Sequence, residues 1–151
     1  MTSIRDWWTG RRSRDARAGE ARATAPTDHL LNGRVALVTG GSGILGSAIC
    51  GALASEGARV AVAYFRRADQ AAAVVARIER AGGTAFAWRA DVRDRAEVDA
   101  LVRAVGERYG DVEILVNNAA TVPPEIGMKS FLAHPWEDYQ AYLDTVVKGA
   151  V

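Results

Sequence analysis

The chain has 151 residues, of which 49% are hydrophobic and 25% charged, the proportions of one soluble globular domain with enough apolar surface for a sizeable core. Its 19 basic and 18 acidic residues leave a net charge of +1, which lacks the footprint of a nucleic-acid binder, and no apolar run reaches the length of a membrane span. A single cysteine, Cys50, excludes a disulfide framework and a zinc cluster, and with no secretory stretch at the N-terminus the expected setting is a reducing cytoplasm.

Residues 1–32 mix Arg, Ala, Asp and Gly without sustained apolar periodicity, so they are expected to form a disordered leader. Trp7 and Trp8 beside arginines hint at targeting or docking, but Asp6, Asp15, Glu20 and Asp28 argue against a transit peptide. From Gly33 onward, short β-rich runs alternate with helical stretches, the pattern of βαβ units and a parallel sheet. Strands are expected at 34–39, 59–64, 84–89 and 112–117. Between the first two, Ile44, Leu45, Ala48, Ile49, Ala52 and Leu53 share one face of a predicted helix. Val74, Val75 and Ile78 mark the next helix, and Val98, Leu101, Val102, Val105 and Tyr109 a third. Gly57, the pair Gly82-Gly83, and Gly110 follow these helices where a left-handed cap residue is wanted. The stretch TVPPEIGMKSFLAHPW reads as an irregular connection, and a last helix starts near Pro135 and runs through Trp136, Tyr139, Leu143, Val146 and Val147. The expected fold class is α/β, a doubly wound parallel sheet truncated after about four strands.

Between the first strand and its helix lies TGGSGILG, in which Gly41, Gly43 and Gly46 form G-x-G-x-x-G and Gly40 adds a fourth glycine. Such a turn lets backbone approach a pyrophosphate with no Cβ in the way, and the helix start then offers free N–H groups to the anion. The candidate binding residues here are Gly40, Ser42, Gly43, Ile44, Leu45 and Gly46. A site preferring NAD places an acid about 20 residues further on, at the end of the second strand. Here that region reads AVAYFRRAD, with no carboxylate at the strand end and with Arg66 and Arg67 following at once. Planar guanidinium donors suit a 2′-phosphate, so NADP is favoured over NAD. Two alternatives stay open: a solvated helix start at the arginines, and Asp69 reaching the ribose.

Three motifs together, the TGGSGILG turn, the Asp91-Val92 pair after the third strand, and Asn117-Asn118-Ala119-Ala120 after the fourth, make residues 33–151 resemble the short-chain dehydrogenase/reductase family. The resemblance implies a Rossmann-type domain in which Asp91 accepts from the adenine amino group and the Val92 backbone helps seat the ring. It also implies that Asn118 and Ala119 line the adenosine ribose and that Asn117 ties the fourth strand to its neighbours. From the residues alone, Asp91 also reads as a helix N-cap, although Asp94 in VRDRAEV suits that role better. The spacing T-G-x-x-G-x-x-G is similar to the epimerase-like branch, whereas the double asparagine is similar to the shorter reductase branch.

In that family hydride transfer uses a tyrosine with a lysine four residues later, the cation bringing the phenol into range for acid-base work. Tyr64, Tyr109, Tyr139 and Tyr142 are followed at that spacing by Ala68, Glu113, Leu143 and Val146. Lys148 in VVKGAV resembles the helix before the catalytic one, where Val146 stands at the family's asparagine position. No catalytic residue is therefore assigned, and the sequence reads as the cofactor-binding half of a carbonyl or alcohol oxidoreductase. The alternative is a non-catalytic nucleotide-binding or interaction module. His29 and His134 stand alone, Ser42, Ser47 and Ser55 lack a triad, and no metal ligands cluster. The expected partner is a small carbonyl or alcohol substrate once the active site is complete, with self-association through the open edge of the strand VEILVN.

Overall fold

The computed structural model describes residues 29–120 and 135–150. The elements run β1 (Val35–Val38), α1 (Ile44–Ser55), β2 (Arg59–Tyr64), α2 (Ala68–Arg80), β3 (Thr84–Arg89), α3 (Arg95–Tyr109), β4 (Ile114–Val116) and α4 (Trp136–Val146), followed by a 3₁₀ turn at Lys148–Ala150. The four strands are parallel in the order β3-β2-β1-β4. β1 lies between β2 and β4 and is buried along its whole length, which is why it reads as an unbroken apolar run. β4 is shorter than the run VEILVN suggests, because its ladder extends only where it pairs with Ala36, Leu37 and Val38.

The sheet separates two cores, as the doubly wound reading requires. On one face Ala36, Val38, Val60 and Val62 pack with Cys50 and Ala54 of α1 and Ala71, Val74 and Ile78 of α2. On the other, Val35, Leu37, Ala61, Ala63 and Phe86 pack with Leu101 and Val105 of α3. Burial pushes the Cys50 thiol up to about 11, so it is a small apolar core residue rather than a reactive one. The expected cap glycines Gly57, Gly82 and Gly110 take positive φ; Gly83 does not. No helix among the described residues is long and apolar enough to cross a membrane.

Two features differ from the sequence reading. The buried row of α1 is Gly46, Cys50 and Ala54, while Ile44 and Leu45 are exposed and Ile49 and Leu53 are partly buried. The helix lies so close to β1 that only small side chains fit the contact row, and a pattern weighted by large apolar residues is rotated away from it. The second concerns His29–Asn32, assigned to the leader. Leu31 N–H donates to Glu56 O at 2.9 Å, Gly33 N–H donates to Gly57 O at 3.0 Å, and the Leu31 side chain packs on the first core. The folded chain therefore includes this turn; residues 1–28 lie outside the described residues, as do 121–134 of the expected connection.

Leu101 is 1% exposed beneath the sheet, whereas its neighbour Val102 is 48% exposed. Leu101→Ala should cost about 2–5 kcal/mol of unfolding free energy in a urea titration, and Val102→Ala no more than about 0.5. Equal effects would contradict the placement of α3.

Candidate functional site

The C-terminal ends of β1, β2, β3 and β4 open on one cleft of about 440 Å³. Its walls include Gly40, Ser42 and Gly43 from the β1–α1 turn, Tyr64 to Arg67 after β2, and Ala90 to Arg93 after β3. Ala119 and Ala120 contribute from beyond β4, and Ala141 and Thr145 from α4. Parallel strands gather their loops at this end, so residues far apart in sequence share one cavity.

The turn is built by close approach. Gly40 has φ +64°, and a Cβ there would lie 3.0 Å from Ala119 Cα and 3.1 Å from Asn118 Nδ2. At Gly46 a Cβ would overlap Gly40 O and sit 2.8 Å from Asn118 Nδ2. Gly43 is less crowded: among the described residues its Cβ would meet Gly40 O alone, in a tight contact at 3.3 Å. Gly43 is also the N-cap of α1, with no side-chain cap and no acid in the first turn. The α2, α3 and α4 starts each carry an acid: Asp69, Glu97, and Glu137 with Asp138. Gly43 itself lines the cleft, so the start of α1 stands at the cleft wall with no acid in its first turn, an arrangement suited to a bound phosphate.

Thr39 and Asn118 lock this turn to β4. Thr39 Oγ1 donates to Val116 O at 3.3 Å and accepts from the N–H groups of Asn118 and Ala119, both at 3.0 Å. Asn118 Nδ2 donates to Thr39 O at 2.9 Å and Gly40 O at 3.2 Å. The tie expected of Asn117 is therefore made by Asn118, while Asn117 Nδ2 lies 3.5 Å from Ala150 O. Asn118 does not line the cleft, and neither do Ile44, Leu45 or Gly46; Ala119 does. Thr39 was missed as a site residue, although a hydroxyl between the strand and the first glycine was its visible signal.

After β2, Arg66 and Arg67 are exposed on the cleft wall. Arg66 stacks on the Phe65 ring with its guanidinium carbon 5.0 Å from the centroid, and Arg67 is the N-cap of α2, 3.5 Å from Gln70 Oε1. Neither has a carboxylate partner among the described residues. After β3, Asp91 pairs with Arg93, which hydrogen-bonds it and holds its carboxyl below the ordinary carboxylate range. The helix N-cap there is Asp94, accepting from Ala96 N–H at 2.8 Å and Glu97 N–H at 3.3 Å. Because the folded pKa of Asp91 is depressed, its stabilising contribution is present above the ordinary aspartate range and lost as pH falls through the lowered value.

The short chain dehydrogenase family pattern matches residues 34–151. The chain belongs to that family. This family member is 45% identical over 92 residues to a short-chain dehydrogenase/reductase homolog of Bacillus subtilis, covering 61% of this chain and 84% of that one. It is 38% identical over 119 residues to a 3-oxoacyl-[acyl-carrier-protein] reductase of Synechocystis, covering 79% of this chain and 47% of the reductase. Among solved structures it matches a short chain dehydrogenase from Burkholderia cenocepacia in complex with NADP, with TM-score 0.70 and 41% identity, over 79% of this chain and 47% of that one. The chain thus spans about half the length of these two longer relatives.

Gly46→Ala and Gly43→Ala should separate packing from ligand space. The first should lower the thermal midpoint by several degrees because its methyl collides with backbone, and the second, whose methyl asks Gly40 O to give by only a few tenths of an ångström, should lower it less. Two equal midpoint shifts would contradict the geometry of the turn.

Proposed function

We propose that the cleft holds NADP(H), in preference to NAD(H), for hydride transfer between the nicotinamide and a carbonyl or alcohol substrate. The observation that carries this reading is one cleft joining the uncapped helix start at Gly43 to two arginines with no carboxylate partner among the described residues. The Burkholderia relative, whose structure contains NADP, supports it at the level of the cofactor class. Acidic groups that would repel a 2′-phosphate are absent from Tyr64–Arg67, and Asp69 lies in the first turn of α2.

In this reading the N–H groups at the start of α1 and the Ser42-Gly43 backbone bind the pyrophosphate, with the helix dipole adding a partial positive charge. Arg66 and Arg67 donate to the 2′-phosphate as charge-assisted hydrogen bonds. Asp91 accepts from the 6-amino group of the adenine while Val92 seats the ring, and Ala119 leaves room beside the ribose. When bound, the nicotinamide accepts or supplies the hydride. The Tyr-x-x-x-Lys pair that moves the proton in the family does not occur in this sequence, so the residues here hold and orient the cofactor.

Calorimetric titration should show NADPH binding roughly tenfold or more tightly than NADH, the scale of a charge-assisted hydrogen bond. Arg66→Glu together with Arg67→Glu should remove or reverse that preference, and added salt should narrow it. Equal affinities in the unsubstituted chain would overturn the reading.

A further inference from the structure

Arg93 was given no role by the sequence, yet on the cleft wall it binds the carboxylate of Asp91 and lies against Phe65. Its Nε donates to Asp91 Oδ1 at 2.9 Å and its Nη2 to Oδ2 at 2.6 Å, a two-pronged pair that matches fork to carboxylate. The Arg93 backbone N–H adds a third bond to Oδ1 at 3.0 Å. The same guanidinium lies 5.6 Å from the centroid of Phe65, a ring that also carries Arg66 and Arg89. Arg89 is anchored in turn by Glu97, and the Glu97 carboxylate accepts from Asp91 N–H at 2.7 Å.

The Asp91 carboxylate is thereby fixed in plane and position. Oδ1 takes two close donors, whereas Oδ2 takes one close donor and a longer contact from Nε at 3.2 Å, so Oδ2 keeps capacity for a ligand. A 6-amino purine presents a donor at C6 and an acceptor at N1, and a 6-oxo purine presents the reverse. A carboxylate free to turn would accept from either edge, moving from the 6-amino group to the N1–H. One held by a fork has a single aim, and an unmet acceptor-acceptor contact is costly in a cleft.

We propose that Arg93 is a positioning residue that clamps Asp91 and so makes the cleft select a 6-amino purine over a 6-oxo purine. This rests on the cofactor reading above. Keeping Asp91 ionised serves the same end, since a protonated carboxyl would donate to the 6-oxo group.

The test compares NADPH with its hypoxanthine analogue by calorimetry on the unsubstituted 151-residue chain, Arg93→Ala and Arg93→Lys, with circular dichroism on each. The unsubstituted chain should prefer NADPH about tenfold, and both variants should bring that preference below about threefold. Lysine keeps the charge but not the planar fork, so Arg93→Lys reports orientation even where Arg93→Ala loses structure. Parallel weakening of both ligands with the preference intact would mean a merely structural role and overturn the proposal, as would full preference in Arg93→Lys. If the unsubstituted chain binds both ligands equally, the contact of Asp91 with the purine is absent and the proposal falls while the cofactor reading stands. If it binds neither, the cofactor reading itself fails.

Discussion

The joint between the end of β1 and the end of β4 governs the geometry of the whole cleft. One hydroxyl, that of Thr39, meets one carbonyl and two N–H groups of the β4 end, and one amide, that of Asn118, meets two carbonyls of the β1 turn. Thr39 is 7% exposed, so losing its partners would leave a buried hydroxyl unsatisfied. The lock sets Gly40 in a left-handed conformation and brings Gly46 against Gly40 O, which draws the start of α1 onto the sheet. Helix position, turn shape and the direction of the free N–H groups all follow from it.

Electrostatics then divides the arginines around that turn into two kinds. Arg89 and Arg93 are neutralised by Glu97 and Asp91 and act as structure, stacking about Phe65 with Arg66. Arg66 and Arg67 have no such acid among the described residues, so positive potential collects at one end of a chain whose net charge is only +1. Because both are exposed, their attraction for an anion depends on ionic strength.

Much of this was legible before the structure, and the reasons are local. The buried run of β1, the alternation with helices and the positive-φ glycines after α1, α2 and α3 are each written within a few adjacent residues. Asp94 could be picked as an N-cap because its partners lie two and three residues away. What escaped is what depends on distance in sequence or on small side chains. The contact row Gly46-Cys50-Ala54 carries little hydrophobic signal, although its smallness is what lets α1 approach. That Asn118 and not Asn117 ties β4 to β1 is a one-residue difference in how the chain leaves β4. The Phe65 cluster joins the ends of β2 and β3 through pairs that no single window contains. His29–Asn32 show no apolar periodicity of their own and so were read with the leader, but the Leu31 backbone bonds the corner after α1.

The central claim is that the locked turn and the arginine end of the cleft bind one dinucleotide along their length. Backbone amide NMR of the isotopically labelled chain, titrated with NADPH, tests it residue by residue. The account predicts that the largest shift changes fall on Ser42, Gly43, Ile44 and Leu45 at the helix start, on Arg66 and Arg67, and on Asp91 and Val92. Shifts confined to other surfaces, or a helix start that stays unchanged while the arginines respond, would contradict it.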